Sequence, residues 1–136
     1  MAQAAEAFAE AVRLEPADYV SWYNLGLALL RMGRFDEAFR PLNEAVARRP
    51  DFADALSSLG YLYNQRREWG KAWNLLHRAV TANPRHADAW YNLGISILYA
   101  GGDNRANLEI VLQNLRALNP ASASEFERTI ARFTNT

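Results

Sequence analysis

The sequence predicts an all-α protein made of stacked helix pairs, and two observations carry this prediction. Pro16, Pro50 and Pro84 lie 34 residues apart, and Pro120 follows 36 residues after the third proline. Between the prolines one apolar pattern is repeated, and a period of this length is typical of helical repeat proteins. Because such repeats stack into a solenoid with an extended binding surface, the period bears on function as well as on fold.

Each unit presents the same residue types in the same order. Apolar residues at spacings of three and four indicate amphipathic helices, and the closing proline prevents the second helix from continuing. Each unit is therefore predicted to be a helix, a tight turn and a second helix. The pattern runs Trp22, Leu25, Gly26, Leu29, Ala38, Leu42, Ala45 and Pro50, then Leu56, Leu59, Gly60, Tyr63, Ala72, Leu76, Ala79 and Pro84, and opens again with Trp90, Leu93, Gly94 and Ile97.

A glycine stands in the middle of the first helix of every unit, at positions 26, 60 and 94. Glycine there costs about 0.5 to 1 kcal/mol relative to alanine. We expect the compensation to be close contact with the second helix, near Ala38 and Ala72.

Both ends of the chain fit the same scheme. Residues 2–15 are predicted to be the second helix of a truncated repeat, followed by repeats over 17–50, 51–84 and 85–120 within one domain spanning 1–136. After Pro120, Ser122 and Glu125 have the spacing of a capping box, which predicts a terminal capping helix over 121–134.

Two departures modify the pattern. The third unit carries two extra residues around GGDNRAN, after which Leu108, Leu112 and Leu115 take the places of Ala72, Leu76 and Ala79. Leucines in place of alanines there are expected to push apart the two helices of the third unit. Pro41 falls inside a second helix, where it would cost on the order of 3 kcal/mol in a regular interior, so a bend or a loosened first turn is expected.

The repeated pattern resembles the signature of the tetratricopeptide repeat family, W-x2-L-G-x2-Y, A-x3-F and P in 34 residues, over nearly the whole chain. The resemblance implies an α-solenoid of antiparallel helix pairs in a right-handed superhelix. It would contain about three full repeats, an N-terminal half-repeat and a C-terminal capping helix. It also implies that the first helices line a concave groove holding an extended or helical peptide of a protein partner.

A second stripe on the first helices, about 100° around the axis from the core-facing one, supplies the predicted groove wall. Its tyrosines offer large, rigid contact surfaces with a polar tip. Leu27, Leu30, Ile95 and Leu98 have a second interpretation, which is packing against the neighbouring first helix. The predicted peptide-binding residues are Tyr23, Asn24, Leu27, Asp54, Ser58, Tyr61, Asn64, Tyr91, Asn92, Ile95 and Tyr99.

Asn24 and Asn92 occupy one position in their units, with Ser58 between them. An amide side chain donates and accepts, so a row of asparagines can bond a peptide backbone. The WYNLG stretches resemble the superhelical repeats attached to protein O-linked sugar transferases. The substrate-recruiting arm of a larger enzyme, such as a protein glycosyltransferase, is therefore one alternative function.

The groove lacks the basic residues with which some family members grip the C-terminal carboxylate of heat-shock chaperones. The matching positions hold Tyr23, Leu27, Ser58, Asp88 and Asn92. Asp54 and Asp88 beside tyrosines favour an apolar partner segment with one or two basic residues. The other interpretation is that both aspartates complement a helix dipole in the first turn.

Composition argues against several other functions. Zero formal net charge gives no general attraction to phosphate, so we expect no nucleic acid partner, and Arg48, Arg49, Arg66 and Arg67 are interpreted as solvated helix ends. There is no cysteine, and His77 and His86 stand apart in the sequence. We therefore expect no metal, no cofactor and no catalytic residues, and hence no enzyme.

No apolar run approaches the roughly 18 residues needed to cross a bilayer, and the first ten residues carry no secretory pattern. We expect no membrane insertion of this segment and a cytoplasmic location. The 14 arginines against one lysine, together with many alanines, suggest a bacterial source.

Self-assembly is the alternative from a different class. If no helix precedes residue 2, then Ala4, Phe8 and Ala11 are expected to lie bare at the end of the stack. Open solenoid ends favour stacking, so these residues would join two copies into a homodimer.

Overall fold

The computed structural model describes residues 2–135, over which the chain forms eight α-helices and no strand. Three antiparallel pairs, α2 with α3, α4 with α5 and α6 with α7, stack in chain order, with α1 packed on α2 and α8 packed on α6 and α7. The predicted all-α helical repeat is confirmed. The helices are α1 (Ala2–Leu14), α2 (Tyr19–Arg31), α3 (Phe35–Arg48), α4 (Ala53–Gln65), α5 (Trp69–Ala82), α6 (Ala87–Ala100), α7 (Arg105–Leu118) and α8 (Pro120–Thr134).

One apolar core runs along the whole stack. Its N-terminal part joins α1 to α4 around Ala28, Leu42 and Leu62, and its C-terminal part joins α4 to α8. Val46 and Leu75 pack against both parts. The repeats are thus held together by continuous packing, as stacked units that cannot bury their apolar faces alone require.

The glycines of the first two units lie where the second helix approaches the first most closely. A Cβ atom at Gly26 would be 2.6 Å from Leu42 Cγ, and one at Gly60 would be 2.4 Å from Leu76 Cγ. Close contact is present as expected, but the prediction that the partners lie near Ala38 and Ala72 is wrong. A leucine needs the space left by a missing Cβ, whereas an alanine does not.

The third unit is built differently. A Cβ atom at Gly94 would be 2.4 Å from Cζ of Phe126, so α8 supplies the side chain that the second helix supplies in the earlier units. The second helix of this unit, α7, also packs less extensively on α6 than the second helix packs on the first in the other two pairs. The capping helix fills the space that results.

The longer turn of the third unit, 101–104, is closed by its own side chain. Gly101 and Gly102 have φ of +82° and +87°, which glycine adopts without a steric cost. Asn104 Nδ2 donates to the carbonyl oxygen of Ile97 at 2.8 Å. The amide therefore ties the inserted residues back to α6.

The periodic prolines anchor the helices that follow them. Trp22 Nε1 donates to the carbonyl oxygen of Pro16 at 2.7 Å, and Trp90 Nε1 donates to that of Pro84 at 2.8 Å. In the third helix, by contrast, the chain stays α-helical through the buried Pro41. The helix thus continues through this proline without a break.

The C-terminal helix begins differently from the sequence prediction. Asn119 Oδ1 accepts from the Ser122 backbone nitrogen at 3.2 Å, so the predicted capping box of Ser122 and Glu125 is wrong. Pro120 suits the first helical position because it lacks the N–H that would be unpaired there, and α8 therefore begins earlier.

The first helix does not leave its apolar face bare. Ala5 and Val12 are buried, and Phe8 packs against the core around Ala28 and Leu29 of α2. The expectation that Ala4, Phe8 and Ala11 lie bare is wrong, since all three are half-buried. The apolar stripe of α1 is turned toward α2, which covers much of it.

We predict that Gly60→Ala destabilises the fold by about 1 to 3 kcal/mol, because the new Cβ atom overlaps the fully buried Leu76 side chain. Gly70→Ala is the matched control. Gly70 is helical with no atom near its missing Cβ, so alanine there should stabilise by about 0.5 to 1 kcal/mol. Urea unfolding measures both; equal effects of the two substitutions would contradict the close-contact explanation.

Candidate functional site

The first helices α2, α4 and α6 line an open cleft of about 410 Å³ on one side of the stack. Each helix contributes one tyrosine together with smaller polar or apolar residues. The lining residues are Tyr23, Leu27, Leu30, Arg31, Asp54, Ser57, Ser58, Tyr61, His86, Asp88, Tyr91 and Asn92.

Each cleft tyrosine is supported from behind by a phenylalanine of another element. Such tilted and edge-on ring pairs contribute about 0.5 to 1.5 kcal/mol beyond area burial, and they restrict ring orientation. The aromatic surface of the cleft is thus largely formed before any ligand binds. The pairs are Tyr23 with Phe52 (5.1 Å between centroids), Tyr61 with Phe35 (6.3 Å) and Tyr91 with Phe126 (5.7 Å).

A histidine and two aspartates form the polar end of the cleft. His86 Nδ1 accepts from the Ala89 backbone nitrogen at 3.1 Å and so caps α6. In the neutral ring the proton must then be on Nε2, which lies 2.7 Å from Asp54 Oδ1 and donates to it. This contact joins α4 to the start of α6 and orients the Asp54 carboxylate.

The carboxylates at this polar end affect the pKa of the Tyr23 phenol. Burial raises the pKa of Tyr23 above its ordinary value of 10.0, and the negative charges of Asp54 and Asp88 raise it further. A hydrogen bond with Ser58 and the charge of Arg31 act in the opposite direction. Tyr23 therefore stays protonated to higher pH than a solvated tyrosine.

The structure brings together most, but not all, of the predicted groove residues. Those that line the cleft are Tyr23, Leu27, Asp54, Ser58, Tyr61, Tyr91 and Asn92; those that do not are Asn24, Asn64, Ile95 and Tyr99. Asn24 is half-buried beside the cleft. Of the predicted polar row Asn24, Ser58 and Asn92, only Ser58 and Asn92 therefore line the cleft.

Asn64 is buried and bonded within the protein, which corrects its assignment to the groove. Its Nδ2 donates to the Asn92 carbonyl oxygen at 3.0 Å, and its Oδ1 accepts from Ser96 Oγ at 2.9 Å. Both polar groups of the amide are used in joining α4 to α6. Asn64 thus fixes the spacing of two cleft helices and is not exposed to a ligand.

Ile95 and Tyr99 are excluded from the cleft by the packing of α6. Ile95 packs against the core, whereas Tyr99 stacks on Trp69 at 5.3 Å and meets Phe133 of α8 edge-on at 5.2 Å. The third unit therefore contributes only the first turns of α6 and its N-cap to the cleft.

Five lining residues are absent from the predicted peptide-binding set: Leu30, Arg31, Ser57, His86 and Asp88. Ser57 lies 34 residues from both Tyr23 and Tyr91, so the repeat period places it on the same stripe as these tyrosines. His86 stands alone in the sequence and gives no local sign of a partner. Its separation from Asp54, 32 residues, is close to one repeat and is the signal that the two are neighbours on adjacent units.

A second groove, of about 460 Å³, lies between α5, α6 and α7 on residues of mainly apolar type. Trp73 is 41% exposed there and stacks on His77 at 4.9 Å, and Ile110 is 50% exposed. Trp73 is the counterpart of the buried Phe39 one repeat earlier. The equivalent position is therefore at the surface in the second unit.

The arginines at the helix ends contact their neighbours within the protein. Arg66 pairs with Asp36 at 2.8 Å and lies over the Phe39 ring at 3.9 Å. Arg49 donates to the Tyr19 hydroxyl at 3.0 Å. The Arg66 contacts link the second unit to the first, and the Arg49 contact joins two parts of the first unit, which favours a structural role for the cluster.

Comparison with known proteins places the chain in a family. Family models described as tetratricopeptide repeat match residues 2–51, 23–73 and 53–96. The chain belongs to the tetratricopeptide repeat family. Such repeats mediate protein–protein interactions, and the family predicted from the sequence is confirmed.

Several members of the family are similar over most of the chain. Anaphase-promoting complex subunit 3 of Schizosaccharomyces pombe is 26% identical over 111 residues, covering 82% of this chain and 16% of that protein. Human tetratricopeptide repeat protein 7B is 30% identical over 122 residues, covering 88% of this chain and 14% of that protein. The chain therefore spans about a sixth or less of the length of these curated relatives.

Solved structures share the fold. A tetratricopeptide repeat protein from Parabacteroides merdae superposes with a TM-score of 0.78 at 24% identity, over 96% of this chain and 52% of that one. YrrB, described as a TPR protein with an unusual peptide-binding site, gives 0.77 at 22% identity over 86% of this chain and 59% of that one. These likenesses establish the arrangement of helices.

Two other kinds of site were sought between Ala2 and Asn135. No group of three or more histidine, cysteine, aspartate or glutamate side chains in that range is arranged to hold a metal ion. Within the same range no helix has both the length and the apolar character to cross a bilayer.

We predict that Asn64→Ala destabilises the protein by about 1 to 3 kcal/mol, because the Asn92 carbonyl and Ser96 hydroxyl lose a buried partner. Asn64→Asp should cost more, since a carboxylate cannot donate to that carbonyl and is costly to bury. Asn74→Ala, on the exposed side of α5, should change stability by less than about 0.5 kcal/mol. Chemical denaturation of the three variants checks this order, and an Asn64→Ala value near the control would refute the bridging role.

A second prediction concerns alkaline pH. Because the pKa of Tyr23 is raised in the folded state, its contribution to stability is complete below the unfolded value near 10.0 and is lost as pH rises through the folded value. The free energy of unfolding should therefore decrease more steeply with rising pH above about 10 for the wild type than for Tyr23→Phe. Parallel curves would show that Tyr23 is not perturbed.

Proposed function

We propose that the chain is a protein-interaction module that binds a polypeptide segment of a partner in the cleft between α2, α4 and α6. The observation that carries this proposal is the convergence of Tyr23, Tyr61 and Tyr91 from three successive units on one open cleft. Tyrosine combines a large apolar area with a hydroxyl and few rotatable bonds, which suits a contact surface.

The shape and chemistry of the cleft fit a chain segment better than a small molecule. The cleft is open and crosses three first helices, and its walls combine rings with the hydroxyls of Ser57 and Ser58 and the amide of Asn92. Such groups bond backbone amides of any sequence, whereas the rings select apolar side chains. The rings are also held in place, so less conformational entropy is lost on binding.

The module acts as an adaptor and performs no chemistry of its own. The histidine of the cleft is committed to capping α6 and orienting Asp54, which leaves it without the free position that a general base needs. Since the chain spans only a small part of its curated relatives, recruitment of a substrate to a larger enzyme is one form that adaptor function can take.

Selection from a random peptide library tests the proposal and requires no candidate partner. Twelve-residue peptides would be displayed, selected on the immobilised chain, synthesised and measured by fluorescence polarisation. Leucine at position 23, 61 or 91 should weaken binding by about 5- to 30-fold, as expected for interface residues worth about 1 to 2 kcal/mol. Tyr99→Leu is the matched control because Tyr99 lies outside the cleft.

Either of two results would overturn the proposal. One is a selection that yields no peptide with measurable affinity. The other is a set of peptides whose affinity is the same for the wild type and for all three cleft variants, since binding would then occur elsewhere on the surface.

A further inference from the structure

The charged side chains of the cleft are separated in the direction of the helix axes. Asp54 and Asp88 are each the second residue of their helix, whereas Arg31 is the last residue of α2. The position in α2 equivalent to the two aspartates is Val20, so Arg31 is eleven residues further along its helix axis, or about 16 Å at the α-helical rise. One end of the cleft is therefore acidic and the other is basic.

The two carboxylates at the acidic end are in different situations. Asp54 is bonded to His86 Nε2, which orients it. Asp88 is exposed, and among residues 2–135 no ion pair or hydrogen bond to its side chain is formed. A carboxylate left free beside an oriented one can accept a cation without breaking a contact within the protein.

Aromatic rings flank the free carboxylate. Tyr91 follows Asp88 by three residues and is therefore its neighbour on the helix surface. Tyr23 lines the same cleft from α2, together with both carboxylates, and the charges of Asp54 and Asp88 raise the pKa of its phenol. Ring faces attract lysine and arginine, and the apolar stems of those side chains pack on aromatic surface.

We propose that the segment bound in the cleft carries a lysine or arginine whose cation is received by Asp88, with its stem packed between Tyr23 and Tyr91. This assignment rests on the proposed peptide-binding function and specifies the class of partner: an apolar segment with a basic residue at the end of the cleft formed by the N-terminal turns of α4 and α6. A favourable interaction with the helix dipole explains why an aspartate lies in the first turn of α6. It does not explain why aromatic rings lie next to that aspartate.

A double-mutant cycle tests the contact directly. Each selected peptide whose affinity falls with leucine at position 23, 61 or 91 would be resynthesised with arginine replaced by citrulline, or lysine by norleucine. Its affinity would then be measured for the wild type, Asp88→Asn and Asp103→Asn. Asp103 is an exposed aspartate of the α6–α7 turn, outside the cleft, so its substitution changes the net charge equally.

The expected result is that replacing the basic residue weakens binding to the wild type by about three- to tenfold, and that this loss disappears in Asp88→Asn but persists in Asp103→Asn. Affinity of the basic peptide for the wild type should also fall between about 0.05 and 0.3 M salt, while that of its neutral version should not. The salt series requires no protein variant and holds even if Asp88→Asn folds poorly.

The outcomes separate this inference from the proposed function. Cleft-binding peptides without a basic residue, or with a basic residue that shows no coupling to Asp88 and no salt dependence, would overturn the inference and leave peptide binding intact. If no selected peptide depends on the cleft tyrosines, both proposals fail together.

Discussion

The close approach of a bulky apolar side chain to a glycine in each first helix sets the geometry of this protein. Leu42 and Leu76 occupy the space that a Cβ atom at Gly26 and Gly60 would fill, which fixes how deeply the second helix seats on the first. A protein interior is close-packed, so a one-carbon change at this contact must be absorbed by movement of a helix or a side chain. Glycine in a helix interior lowers the stability of the helix relative to alanine, and the tight packing at this contact offsets that loss.

The cleft is a consequence of this packing. Because successive pairs are built alike, the first helices run parallel and present equivalent residues to one side, where Asn64 bonds α4 to α6 and His86 bonds the start of α6 to Asp54. The third unit departs from the pattern, since Phe126 of the capping helix takes the place over Gly94. In that unit α8 also meets the last turn of α6, through the Tyr99–Phe133 ring contact.

Much of the fold could be predicted because periodic residues act locally: the prolines mark the boundaries between units, and apolar spacing identifies the buried faces of the helices. The cleft tyrosines followed from the same period. Asn64 and Tyr99 could not be assigned in this way, because their environment depends on the neighbouring helix and on α8. The Asp54–His86 contact likewise depends on the offset between two units, which no single repeat contains.

The most direct test is the structure of the chain bound to the tightest peptide obtained by selection. Peptide density running across α2, α4 and α6, with side chains against Tyr23, Tyr61 and Tyr91, is the predicted result. Density in the groove around Trp73 and Ile110, with the cleft empty, would contradict the central claim that the first helices form the binding surface.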